Sequence, residues 1–141
     1  MSDPLYGKAL LRLAADAAGA GRLTDFDFEG SAYNPACGDR VAVTMKIGEA
    51  SRITAFAHET HACVLTQASA SILGAQIAGA DEGRLRELRD EVSAMLLQDG
   101  AAPSPFADYA VLKGAAIYRN RHACVLLPID AALNAFEQRR N

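Results

Sequence analysis

Basic charge is scarce in this chain of 141 residues: 14 Lys and Arg face 17 Asp and Glu, for a formal net charge of −3. Without a basic stripe the phosphate backbone has nothing to bind, which argues against a nucleic-acid partner and leaves small ions or other proteins. Apolar runs are short, and none approaches the roughly 20 residues that a membrane span needs. The N-terminus lacks a basic segment followed by an apolar stretch and a cleavage site. The expectation is a cytoplasmic protein with no membrane association. Cysteine is sparse as well: three thiols cannot all pair internally, and in a reducing compartment such thiols bind metal, do chemistry or fill a core. There is no long repeat and no low-complexity tract. The length suits a single domain, 1–141, with a core that needs no disulfide staples.

What is present reads as mixed α and β. Ser2 or Asp3 can cap a helix that Pro4 begins, with Leu10, Leu11, Leu13, Ala14 and Ala17 as its apolar stripe and Gly19 and Gly21 as its stop. From Thr24 the period becomes two, with Phe26 and Phe28 alternating with acidic residues, which predicts a strand. A second strand follows Asp39, placing Val41, Val43, Met45 and Ile47 on one face. A turn at Gly48 and Glu49 leads to a third strand from Arg52 to His58. These three strands form a small antiparallel meander.

After Cys63 the pattern turns helical through the small residues from Ala68 to Ala78, ending at Gly79. Asp81 caps the next helix, whose Leu85, Leu88, Val92, Met95 and Leu96 recur at helical spacing, with Arg84, Arg86, Glu87, Arg89, Asp90 and Glu91 facing water. Ser104 and Pro105 predict a short helix from Phe106. The last helix carries Ile129, Ala132, Leu133 and Phe136, with Pro128 placed in its first turn because a proline deep inside would break it.

The chemistry-bearing residues sit at junctions. Asn34-Pro35-Ala36-Cys37-Gly38-Asp39 reads as a tight turn displaying Cys37 and Asp39. Cys63 and Cys124 each precede a helix, where free N–H groups and the positive end of the dipole favour a thiolate. His61-Ala62-Cys63-Val64-Leu65 recurs as His122-Ala123-Cys124-Val125-Leu126, a local echo of two matched settings. Three sulfurs and one carboxylate make a four-ligand set suited to zinc or iron, although no Cys-x-x-Cys pair is present. His61 and His122 read as exposed or hydrogen-bonded bystanders, and His58 as a solvated strand end. Ser69 and Ser71 are explained by packing and bonding back into their own helix.

Taken together these residues resemble the U-type iron–sulfur cluster assembly family (the NifU N-terminal domain, IscU and SufU). The resemblance runs nearly the whole chain and rests on Asn34-Pro35-x-Cys37-Gly38-Asp39, on Cys63 followed by Ala68-Ser69-Ala70-Ser71, and on Arg121-x-x-Cys124. It implies a SufE/NifU-like α+β fold, a three-stranded antiparallel sheet packed against four to five helices, with three cysteines and an aspartate gathered at one end. The 61-residue step from Cys63 to Cys124 resembles the longer, SufU-like branch. Membership implies metal ligands Cys37, Asp39, Cys63 and Cys124, with Arg121 a nearby cation. A [2Fe–2S] cluster would be held on Cys37, Cys63 and Cys124. It also implies a cysteine desulfurase as sulfur donor, iron–sulfur apoproteins or carriers as recipients, and Cys37 as the sulfur-receiving thiol. Tyr6 would help dock the desulfurase or simply anchor the first helix. Three functions follow: a [2Fe–2S] assembly scaffold, a zinc-dependent sulfur acceptor, and a non-catalytic zinc-stabilised interaction domain. The chain departs from the family pattern at Thr60-His61-Ala62 before Cys63, at Ala123 before Cys124, and at Pro128.

Overall fold

The computed structural model describes residues 7–98, 101–103 and 106–140. Along the chain run α1 (Lys8–Asp16), β1 (Phe28–Asn34), β2 (Asp39–Ile47), β3 (Ile53–His61), α2 (Val64–Gln76), α3 (Glu82–Gln98) and α4 (His122–Arg140). A run of 3-10 turns, Ala107–Ile117, precedes α4. The fold is α+β: one antiparallel sheet in the order β1-β2-β3 with α2 and α4 packed on it, α1 packed on α2 and α3 on α4.

The sheet works by period two. Val41, Val43 and Met45 of the central strand are buried on one face and meet α4, which also lies along β1. Gly30 allows that approach, because a Cβ there would stand 2.4 Å from the Ala135 backbone nitrogen. Phe28 and Phe136 close the same interface edge to face at 5.3 Å between ring centres. Leu85, Leu88, Val92, Met95 and Leu96 of α3 are buried as their spacing predicts, and Asp81 Oδ1 accepts the Arg84 N–H at 2.8 Å as the helix cap.

Several boundaries differ from the sequence reading. The residues proposed to start the first helix, Ser2 to Pro4, lie outside the described residues, as do Tyr6, Ser104 and Pro105. α1 ends at Ala17, which itself takes the left-handed conformation before either glycine is reached. β1 begins at Phe28 because the preceding acidic residues bond through their side chains: Asp27 Oδ2 accepts the Ile47 N–H at 2.7 Å, and Asp25 pairs with Lys46 at 2.7 Å. β3 continues past His58 to His61 in register with β2, Arg40 lying opposite His61.

His58 is not solvated. It is 4% exposed, with Nε2–H donating to the Ala18 carbonyl and Nδ1 accepting from the Thr60 hydroxyl, both at 2.9 Å. Nor do the serines bond into their own helix: Ser69 Oγ donates to the Val125 carbonyl at 2.6 Å and meets Tyr109 Oη at 2.8 Å. Ser71 Oγ accepts the Ala18 N–H at 3.1 Å. Each hydroxyl joins α2 to a neighbour. Arg89 of α3 pairs with Asp130 of α4, so the charged face is not wholly given to water.

Pro128 lies beyond the first turn of α4, as its seventh residue. It has no N–H for the Cys124 carbonyl four residues back, and an orphaned buried carbonyl costs about 1–3 kcal/mol. Thr66 supplies the missing donor, Oγ1 lying 3.0 Å from the Cys124 carbonyl oxygen. A neighbouring side chain therefore lets the proline sit where helix geometry alone disfavours it.

Candidate metal and sulfur centre

The turn between β1 and β2 is built by its own residues. Asn34 Oδ1 accepts the Ala36 N–H at 3.1 Å, and the Asn34 carbonyl accepts the Cys37 and Gly38 N–H groups at 3.3 and 2.8 Å. Gly38 turns the chain at φ +78°, a conformation that suits glycine. Cys37 is thereby displayed and exposed, and Asp39 enters β2 pointing inward, 5% exposed.

Asp39 then serves as a cap for a helix remote in sequence. Cys63 is the N-cap residue of α2 and offers no side-chain cap of its own. Asp39 Oδ1 accepts the Cys63 N–H at 3.1 Å, and Oδ2 accepts the Thr66 hydroxyl at 2.9 Å. A carboxylate at the positive end of a helix is well placed. Burial works to raise the Asp39 pKa, but hydrogen bonds from the Cys63 thiol, Thr66 and the Cys63 amide outweigh it and hold the carboxyl below the ordinary aspartate value.

Cys124, in the first turn of α4, is 1% exposed, and its Sγ lies 4.0 Å from Cys37 Sγ. Ligand atoms of Cys37, Asp39 and Cys124 all fall within 4.8 Å of one another. Two sulfurs on one tetrahedral zinc, at Zn–S of about 2.3 Å, stand about 3.8 Å apart, so this spacing suits a shared ion. Cys63 is not in that mutually close set; its Sγ is 3.4 Å from Thr66 Oγ1 and faces the Asp39 carboxyl and Cys124.

The thiolate expected at the start of α4 is corrected. Burial, reinforced by the adjacent Cys63, Cys37 and Asp39, pushes the Cys124 thiol up to about 12, so without a cation it keeps its proton. Desolvation outweighs the helix dipole here, and a bound cation would reverse the balance.

Among the other sequence candidates, His61 is exposed at the end of β3. His122 donates from Nε2 to the Ala116 carbonyl at 2.9 Å. Arg121 sits in a short 3-10 turn, Arg119–Arg121, just before α4. Thr66 escaped the sequence reading. The available signal was its place three residues after Cys63, one turn along the same helix face.

Comparison with known proteins places the chain in a family. The sequence profile of the NifU-like N-terminal domain matches residues 5–125. The chain belongs to that family. Its fold superposes on a nitrogen-fixing NifU-like protein (N-terminal) from Brucella abortus with a TM-score of 0.89 at 34% identity, covering 98% of this chain and 96% of the other. A candidate iron–sulfur cluster assembly scaffold protein for the SUF system from Fervidobacterium islandicum shares the fold at TM-score 0.80 and 20% identity, over 93% and 96% of the two chains. No protein of curated function matches the chain significantly by sequence. The family is thus established, and these matches do not separate its SufU-like branch from the others.

Proposed function

We propose that this chain is an iron–sulfur cluster assembly scaffold, on which Cys37, Cys63 and Cys124 hold a [2Fe–2S] cluster and Asp39 completes the ligand set. The observation carrying this reading is the meeting of Cys37, Asp39 and Cys124 within 4.8 Å, with Cys63 beside them, at one end of a NifU-like fold. Soft thiolates suit iron and zinc, and the single hard carboxylate is the ligand most easily exchanged. Iron and sulfide are cargo here: sulfur comes from a cysteine desulfurase, and the finished cluster passes to apoproteins or carriers.

The exposure of Cys37 beside two inward thiols favours a second reading, a zinc-dependent sulfur acceptor. The Cys37 thiolate attacks the outer sulfur of a desulfurase persulfide, the S–S bond breaks, and the desulfurase cysteine leaves as thiolate. The two readings share their ligands.

Metal and acid-labile sulfide analysis of anaerobically isolated protein separates them, followed by reconstitution with iron, cysteine and a desulfurase. A scaffold gains iron and sulfide together with visible absorption. A sulfur acceptor keeps zinc and stimulates the desulfurase. Zinc without either response would leave only a zinc-stabilised interaction domain.

A further inference from the structure

One buried group at the site has no part in the thiol chemistry. Thr66 is 0% exposed, and Oγ1 lies 2.9 Å from Asp39 Oδ2, 3.0 Å from the Cys124 carbonyl oxygen and 3.4 Å from Cys63 Sγ. A threonine hydroxyl has one proton to give and two lone pairs that accept. Around it stand a buried carboxylate, a carbonyl that Pro128 deprives of its in-helix donor, and a thiol able to donate or accept. These acceptors belong to β2 and α4, two elements far apart in sequence, and the hydroxyl reaches both from α2.

We propose that Thr66 is the positioning residue of the metal and cluster site, orienting the Asp39 carboxylate directly and the Cys124 thiol through its own backbone carbonyl. Pro128 is its counterpart. By withholding an amide, it leaves the Cys124 carbonyl open to Thr66 and ties the first turn of α4 to the helix that carries Cys63. The hydroxyl shares its one proton between the Asp39 carboxylate and the Cys124 carbonyl, and when Asp39 turns an oxygen toward an ion the carbonyl keeps that donor to itself. When Asp39 lets go, the same hydroxyl receives it.

The inference rests on the metal-binding reading above, and cobalt(II) tests it without any assembly activity. Affinity and the ligand-field spectrum report the placement of the ligands, whereas a purely structural threonine would change only the melting temperature. The full chain is titrated with cobalt(II) as wild type, Thr66→Ser, Thr66→Val and Thr66→Val with Pro128→Ala. The serine variant keeps the hydroxyl and should match wild type. Thr66→Val should weaken cobalt binding by about tenfold or more and alter the ligand-field bands. In the double variant the amide of residue 128 supplies the Cys124 carbonyl, so part of the affinity should return, and this variant remains measurable should Thr66→Val alone not fold. Wild-type affinity and spectrum in Thr66→Val, losses as large in Thr66→Ser, or no recovery in the double variant would overturn the proposal. A wild-type chain that binds no cobalt would overturn the site reading itself.

Discussion

Asp39 does two things at once, capping α2 through Cys63 and Thr66 and standing among the thiols as the one hard donor. Asp39→Ala should therefore lower the stability of the metal-free chain by about 1–2 kcal/mol, the size of a lost helix cap, measurable by urea unfolding. The three thiols should still bind metal in that variant, with a changed exchange rate; unchanged cluster lifetime and sulfur transfer would deny Asp39 any role beyond the cap. Cys37 differs from its partners in access, being exposed where Cys124 is buried. After incubation with a desulfurase and cysteine, non-reducing peptide mass spectrometry should find the added sulfur on Cys37. Cys37→Ser should accept sulfur at least about tenfold more slowly, since a serine hydroxyl is a poor nucleophile unless a base activates it. A persulfide confined to Cys63 or Cys124, with normal transfer by the serine variant, would sink the assignment.

At the level of elements, the segment after α1 is pinned by His58, which bonds Ala18 and pairs through its backbone with Gly19 and Gly21. Burial lowers the His58 pKa, and the bond to the Ala18 carbonyl only partly offsets it. The fold therefore favours the neutral ring, and the unfolded chain takes up a proton first as pH falls through about 6.5. Stability present above that pH should decline below it, by at most about 1.4 kcal/mol per pH unit from this one group. Denaturant titrations between pH 7.5 and pH 5.5 (about one unit on either side of that pKa) check this, with His58→Gln expected to be less stable at neutral pH but flatter in slope. An equally steep slope in the variant would place the titration elsewhere. The element-scale patterns in the sequence were legible where periodicity was strong, as in β2 and α3. They failed at β1, where Asp25 and Asp27 mimic an alternating strand while bonding through their side chains to Lys46 and the Ile47 amide.

For the whole molecule, the site joins the β1–β2 turn, α2 and α4, so an ion bound there should tie these parts together and stabilise the fold. Metal at about one hundred times its Kd adds about 2.7 kcal/mol. Chelation should accordingly lower Tm by several degrees in a thermal melt, and a chelator-treated sample with unchanged Tm would count against a bound ion. Binding must also strip the proton from Cys124, held up to about 12 when no cation is near, so metal affinity should fall as pH is lowered. The sequence alone carried the fold class through its periodicities and the family through its resemblance, and it singled out Cys37, Asp39, Cys63 and Cys124 as candidates, because turn chemistry, helix starts and thiol identity are local properties. Local chemistry was silent on which of them meet, and only the family resemblance implied a shared end. Burial of His58, the inward turn of Asp39, the raised pKa of Cys124 and the hydrogen bonds of Thr66 were decided by the tertiary structure. Each depends on a partner tens of residues away: Ala18 for His58, Cys63 for Asp39, Cys37 for Cys124 and the open carbonyl above Pro128 for Thr66. Desolvation and hydrogen-bond satisfaction belong to the surroundings of a group, and those surroundings exist only once the chain has folded.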